Sequence, residues 1–208
     1  MGHTRGTASG HQSELPTEIL NYWLDEVGPK GWYAGGEALD QQIRDRFLST
    51  WQRTMQGANA LWLTHASGTL AYILVTDQFS RNMFRDTAEA FSSDRIALTA
   101  AKAAIAKGWD MRIDAPARQF FYMPLMHSEN LCDQDRAVRL FLTRMPQEDA
   151  QDASSNLLHA RAHREVIRKF GRFPTRNAAL GRNNTAPETA FLAAGGYGAT
   201  VNELKAAA

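Results

Sequence analysis

One cysteine, Cys132, stands in 208 residues, so no intramolecular disulfide can form. A chain of this size without cross-links suits a reducing compartment, which makes the cytoplasm the expected location. Long apolar runs are equally scarce: the longest, Leu70 to Val75, falls far short of the roughly 20 residues that cross a bilayer, and no membrane partner is expected. Charge of one sign is missing too. Lys and Arg number 23 against 22 Asp and Glu, a formal charge of +1, which supplies no whole-molecule field to draw in nucleic acid or an anionic surface. Any electrostatic function has to be local. The opening Met1-Gly2-His3-Thr4-Arg5-Gly6 lacks the apolar core of a secretory signal, and Gly6 stands where a myristoylation motif wants Ser or Thr. Residues 1–12 read as a flexible tail of the kind an expression vector adds, so His3 and His11 are set aside. Residues 13–208 read as one domain, since a chain with 44% hydrophobic residues can build a single core without staples or metals.

Strand patterning is nearly absent as well. From Ser13 onward apolar residues recur at three- and four-residue spacing, the helical period, which predicts an all-α fold of antiparallel helix pairs. Ile19, Trp23 and Val27 mark one stripe, stopped by Gly28-Pro29. Ile43, Phe47 and Trp51 line a second helix from about Ala38 to Met55. Leu70 to Phe79 is too long for a typical strand and reads as a buried helix. One Ala-rich helix is expected from Ala88 to Lys107, ending at Gly108. Pro116 opens a helix through Phe120-Phe121-Tyr122, with Pro124 shaping its exit. Val138, Phe141 and Leu142 form a stripe before Pro146. The last long helix starts near Gln151 and carries Leu158, Ala162, Val166 and Phe170 to a cap at Gly171. Thr185-Ala186-Pro187-Glu188 fits a capping box for a short helix to about Ala194, broken by Gly195-Gly196-Tyr197-Gly198.

Four clusters carry the polar chemistry, and three of them are expected at helix ends, where orphan amides and carbonyls also need partners. Asp77 and Arg81 share one helix face and form either an exposed ion pair or a partly buried one that aims a guanidinium into a pocket. His127, two residues before Glu129, is suited to acid/base work near neutral pH. His159 and His163 are spaced i, i+4, but the metalloprotease glutamate is missing, because Ala160 follows His159. No metal and no cofactor are therefore expected. Between Arg161 and Arg182 lie Arg161, Arg164, Arg168, Lys169, Arg172, Arg176 and Arg182, opposed locally only by Glu165. Arg172, Arg176 and Arg182 fall in a Gly- and Pro-punctuated stretch where rigid donor forks can converge on a carboxylate or phosphate.

At these clusters the sequence resembles the DUF924 family of largely bacterial proteins of unknown function. The resemblance runs from Tyr22-Trp23 through Asp77-Gln78-Phe79-Ser80-Arg81-Asn82, His127-Ser128-Glu129 and His163. It continues through Phe170-Gly171-Arg172-Phe173-Pro174-Thr175-Arg176-Asn177 to Leu180-Gly181-Arg182. It implies a tetratricopeptide-like right-handed helical array. Ser80 stands where the family commonly has Pro, and Thr175 where it has His. The leading expectation is a site that binds an anionic small molecule or a peptide carboxylate, lined by Asp77, Arg81, Asn82, His163, Arg172, Arg176, Asn177 and Arg182. Its rivals are a hydrolase-type enzyme using His127 or Glu129 as acid/base, and a protein-interaction scaffold; self-association is left open. All require that the 171–182 loop meet His127-Ser128-Glu129 and the Asp77–Arg81 turn.

Overall fold

The structure, a computed structural model, describes residues 16–146 and 155–207. Among these residues every regular element is helical and no strand occurs. Helix α1 (Pro16–Leu20) widens into a π-helical stretch, Asn21–Val27, and after Gly28 a single turn, α2 (Gly28–Gly31), follows. Helix α3 (Glu37–Met55) buries Ile43, Phe47 and Trp51 as the spacing predicts. Helix α4 (Ala66–Ile73) continues without a break through a π-helical segment, Leu74–Phe79, into α5 (Ser80–Met83). Its residues from Gly68 to Ser80 are all buried, because α1, α6 and the Ala60–Thr64 turn pack around it. Gly68 permits the tightest of these approaches: a Cβ there would lie 2.5 Å from the Trp62 carbonyl and 2.7 Å from the His65 ring.

The Ala-rich segment is two elements, not one. A 3-10 turn, Ala88–Phe91, precedes α6 (Asp94–Ala106). The split falls at Ser93, which is fully buried, donates to the Thr76 carbonyl at 2.6 Å and accepts from Trp51 Nε1 at 3.3 Å. Those tertiary bonds hold the serine outside the helix that local propensity alone would extend. Phe120-Phe121-Tyr122 likewise lie in and just after a 3-10 turn, Ala117–Phe121, and Pro124 sits in the first turn of α7 (Met123–Met126), opening a helix where it was expected to close one.

Helix α8 (Leu131–Arg144) starts at Asn130, whose side chain accepts from the Cys132 and Asp133 amides. Val138 and Phe141 are buried, but Leu142 is 46% exposed. Helix α9 (Asn156–Phe170) begins after Ser155, and the expected start near Gln151 lies outside the described residues, as do residues 1–12. Gly171, at φ 70, caps it in the left-handed conformation that favours glycine. Helix α10 (Ala186–Ala193) has the capping box read from its sequence. The glycines after it turn the chain but do not end the helical structure: α11 (Gly196–Ala206) returns to pack on α9, which packs on α8. No helix among the described residues is long and apolar enough to cross a membrane.

A main core of large aromatics, among them Trp23, Phe47, Phe79 and Phe120, fills the space between α1, α3, α4 and the Ala117–Phe121 turn. A smaller cluster, Val166, Ile167 and Phe173 with Phe170, Phe191 and Tyr197 around it, joins α9 to the C-terminal helices. The polar residues described next lie where the two meet.

Candidate functional site

Asp77 was expected at a helix end. It lies inside the continuous α4–α5 run, in the π-helical turn, and is fully buried. Such wide turns re-aim side chains within an otherwise regular helix. The Asp77 carboxylate accepts from His127 Nδ1 at 2.8 and 3.0 Å and from Gln78 Nε2 at 2.6 Å, with Arg81 Nη1 3.2 Å away. Burial works against its charge, but Arg81 and His127 outweigh it and hold the carboxyl well below the usual range. His127 also titrates below its ordinary value, because burial and the Arg81 charge prevail over the pull of Asp77. An ionised carboxylate beside a neutral imidazole places the ring proton on Nδ1. Among the described residues the Nε2 lone pair then meets no hydrogen-bond partner.

That ring stands in the wall of a cavity of about 500 Å³, with Tyr33, Met123, Met126, His163 and Tyr197 around it. Asn156 and His159 complete the lining. His163 is a second neutral imidazole: burial and the neighbouring His127 push it down to about 3, and its Nδ1 donates to the His159 carbonyl at 2.8 Å. The His127 and His163 ring centres are 6.1 Å apart. His159 Nδ1 pairs with the Tyr197 hydroxyl at 2.7 Å. Among the described residues no three His, Cys, Asp or Glu side chains converge to hold a metal.

The 171–182 loop does reach this region. Glu129 takes two donors from Arg182, at 2.7 and 2.9 Å, and the Phe173 amide at 2.8 Å. Burial opposes its charge, but Arg182 and the amide hold its carboxyl below the ordinary range. So bound, Glu129 fastens the loop and does not line the cavity, whereas His127, two residues before it, does. Arg176 crosses to the other side, donating to the His127 carbonyl at 2.9 Å and to Asp94 Oδ2 at 3.3 Å. Arg81 donates to the same Asp94 oxygen at 3.1 Å; Asp94 Oδ1 is 2.9 Å from Arg81 but out of line for a hydrogen bond.

The remaining expected residues separate. Arg172 grips Glu188 with two donors, at 2.6 and 2.8 Å, and reaches the Asn183 carbonyl. Asn177, buried, receives Arg182 Nε on its oxygen and donates to Asn184, so it braces the loop from within. Asn82 belongs elsewhere, donating to Asp40, which Arg85 holds through two further bonds. The basic stretch that looked opposed only by Glu165 is thus neutralised by acids distant in sequence: Glu129, Asp94, Glu188 and, for Arg164, Asp135.

Sequence reasoning missed Asp94, Tyr33 and Tyr197. Asp94 looked like any acid in a helix's first turn, and Tyr197 was hidden among glycines read as a break. Nothing local marks Tyr33, whose hydroxyl meets Gln119 from a position 86 residues away.

Over residues 19–196 the sequence matches the family described as a bacterial protein of unknown function, DUF924. The solved structure of a protein of unknown function from Agrobacterium tumefaciens is similar, with a TM-score of 0.78 and 34% identity, over 85% of this chain and 96% of that one. No functionally curated protein matches.

Proposed function

Because the chain belongs to the DUF924 family of bacterial proteins of unknown function, its activity has to be read from its own site, and we propose that it is an acid–base enzyme. The carrying observation is the buried Asp77 carboxylate, 2.8 Å from His127 Nδ1, behind an imidazole that lines a cavity of about 500 Å³. Asp77 fixes the ring's orientation and tautomer and stabilises the imidazolium formed when Nε2 takes a proton. The reaction class is proton transfer: His127 removes a proton from a substrate or an attacking water and returns it to the product or the leaving group. Direct attack by a protein nucleophile has less support, since the wall of this cavity holds no serine, threonine or cysteine, Ser128 Oγ donates to Asp133, and Cys132 is exposed on the surface.

An open Arg-lined pocket draws less support than it did from spacing. Arg81, Arg172 and Arg182 each already face a carboxylate. A scaffold draws less too, because a concave space of this size suits a small molecule better than a partner helix. The finer architecture belongs to the same proposal: antiparallel pairs in a right-handed, tetratricopeptide-like array, supported by α9 packing against both α8 and α11, in a protein working in the cytoplasm.

Imidazole nitrogen NMR tests the proposal. His127 should be the Nδ1–H tautomer at neutral pH and should gain its second proton below the ordinary histidine range. Asp77→Asn should lower that protonation point further, since the carboxylate favours the imidazolium. A His127 proton on Nε2, or a ring indifferent to Asp77→Asn, sinks the assignment.

A further inference from the structure

Arg176 differs from the other arginines of the site. Arg172 and Arg182 each bind their own carboxylate through two nitrogens. Arg176 has half a share of Asp94, at 3.3 Å, because Arg81 takes the same oxygen at 3.1 Å. Its only other acceptor among the described residues is the uncharged His127 carbonyl. The side chain is 13% exposed, and the guanidinium lies between Phe91 and Phe173, 4.7 and 4.5 Å from their ring centres. Both ends of the Asp94 contact strain toward neutrality: burial raises the Asp94 carboxyl, and burial with the Arg81 charge pulls Arg176 down to about 10. Asp94, Glu129 and Asp77 favour the Arg176 charge, but its one direct ion pair is long and divided, so an anion on its remaining N–H donors would add a charge-assisted bond to a desolvated cation.

Beside it is space for one. Arg176 lines a second cavity, about 240 Å³, with Thr175, Val166, Phe173 and Phe191, and this cavity shares His163 and Tyr197 with the larger one. The two spaces have those two rings in common in their walls. We propose that the substrate of the Asp77–His127 site is a compact carboxylate, its acidic group seated on Arg176 in the smaller cavity and its reacting part at His127 Nε2 in the larger. The second half rests on the acid–base reading; the seat on Arg176 stands separately. A carboxylate suits the planar guanidinium fork, whose ion pair with Asp94 is long and divided with Arg81. A phosphate dianion would bring an excess charge into a wall whose other residues, among them Val166, Phe173, Thr175 and Phe191, carry none. Because Arg176 Nη2 already touches the His127 backbone carbonyl at 2.9 Å, the acidic group and the reacting atom must be a few bonds apart. Extended acids, with the charge at the far end of a long chain, do not fit.

Phenylacetate, its uncharged analogue phenylacetamide and inorganic phosphate serve as probes, followed by NMR of the Arg176 Nε–H and the His127 ring. Phenylacetate should shift both signals saturably, and Arg176→Gln should weaken it by at least about tenfold, as expected for a lost charge-assisted hydrogen bond. Arg176→Lys, which keeps the charge and loses the fork, should fall between. Phenylacetamide and phosphate should bind the wild type at least about tenfold more weakly, since one lacks charge and the other carries too much for the site. Equal affinity in Arg176→Gln, or tighter binding of phosphate, overturns the carboxylate seat. So does a wild-type Arg176 signal unmoved at tens of millimolar phenylacetate, a readout that needs no variant to fold. If Arg176 responds and His127 does not, the seat stands and the joint acid–base site falls. If His127 has the Nδ1–H tautomer and Arg176 is silent, the carboxylate seat falls and the acid–base reading of Asp77 and His127 stands.

Discussion

Replacing His163 with asparagine should make the protein less sensitive to mild acid. In the fold His163 is neutral down to about pH 3, because burial and His127 disfavour its imidazolium, whereas in the unfolded chain it titrates near about 6.5. Between those limits the unfolded state binds a proton that the native state excludes. Stability is therefore fully present above the unfolded value and falls as the pH drops below it. Each pH unit is worth about 1.36 kcal/mol, so from about pH 6.5 to pH 5 this one residue should cost the wild type roughly 2 kcal/mol. Unfolded Asp and Glu titrate near about 4, so carboxylates contribute little in that window. His127, shifted in the same direction, adds the same slope to both proteins. Asparagine keeps a donor for the His159 carbonyl that His163 Nδ1 reaches at 2.8 Å. It loses the ring contacts with Tyr197 and Phe173, at 4.7 and 5.5 Å, each worth about 0.5–1.5 kcal/mol. His163→Asn should thus start less stable at pH 7.5, and the gap should narrow by roughly 2 kcal/mol by pH 5. Urea melts at half-unit pH intervals measure this. Parallel pH profiles for the two proteins would show that His163 does not resist protonation in the fold.

Other sites give simpler expectations. Glu129→Gln should cost about 1.5–3 kcal/mol, because charge-assisted bonds to Arg182 and the Phe173 amide weaken together; hydrogen exchange at Phe173 should accelerate, and an unchanged rate would mean Glu129 does not hold the loop. Ser93→Ala leaves the buried Trp51 Nε1 without its acceptor, so a loss of about 1–3 kcal/mol is expected in denaturant melts, and a neutral result would remove the reason given for where α6 starts. Asn130→Ala removes the cap on the Cys132 and Asp133 amides and should lower stability by about 1 kcal/mol, visible as a lower Tm.

Helix type and much of the core were legible in the sequence because periodicity is a local property. Ile43, Phe47 and Trp51 announce a buried face by their spacing, and all three are buried. Thr185 and Glu188 announce a capping box three residues apart, and both bonds form. Where the reading failed, long-range bonds had overruled local propensity. Ser93 leaves an Ala-rich helix to satisfy Thr76 and Trp51, and Tyr197, amid glycines, still enters a helix because α9 supplies a surface for it.

For the site the division is sharper. From sequence alone came several of its members, Asp77, His127, His163 and Arg176, and the expectation that the 171–182 loop meets the Asp77 and His127 turns. Which carboxylates it finds is a tertiary matter. Glu129 and Glu188 each bind one arginine through two nitrogens, while Asp94 is divided between Arg81 and Arg176. His127 and Glu129 looked equivalent as proton carriers two residues apart. Only the fold separates them, putting His127 against a buried Asp77 in a cavity wall and Glu129 against an arginine and an amide. The reason is physical: a side chain's titration and reach depend on what is packed around it, and every decisive neighbour here arrives from another helix or loop.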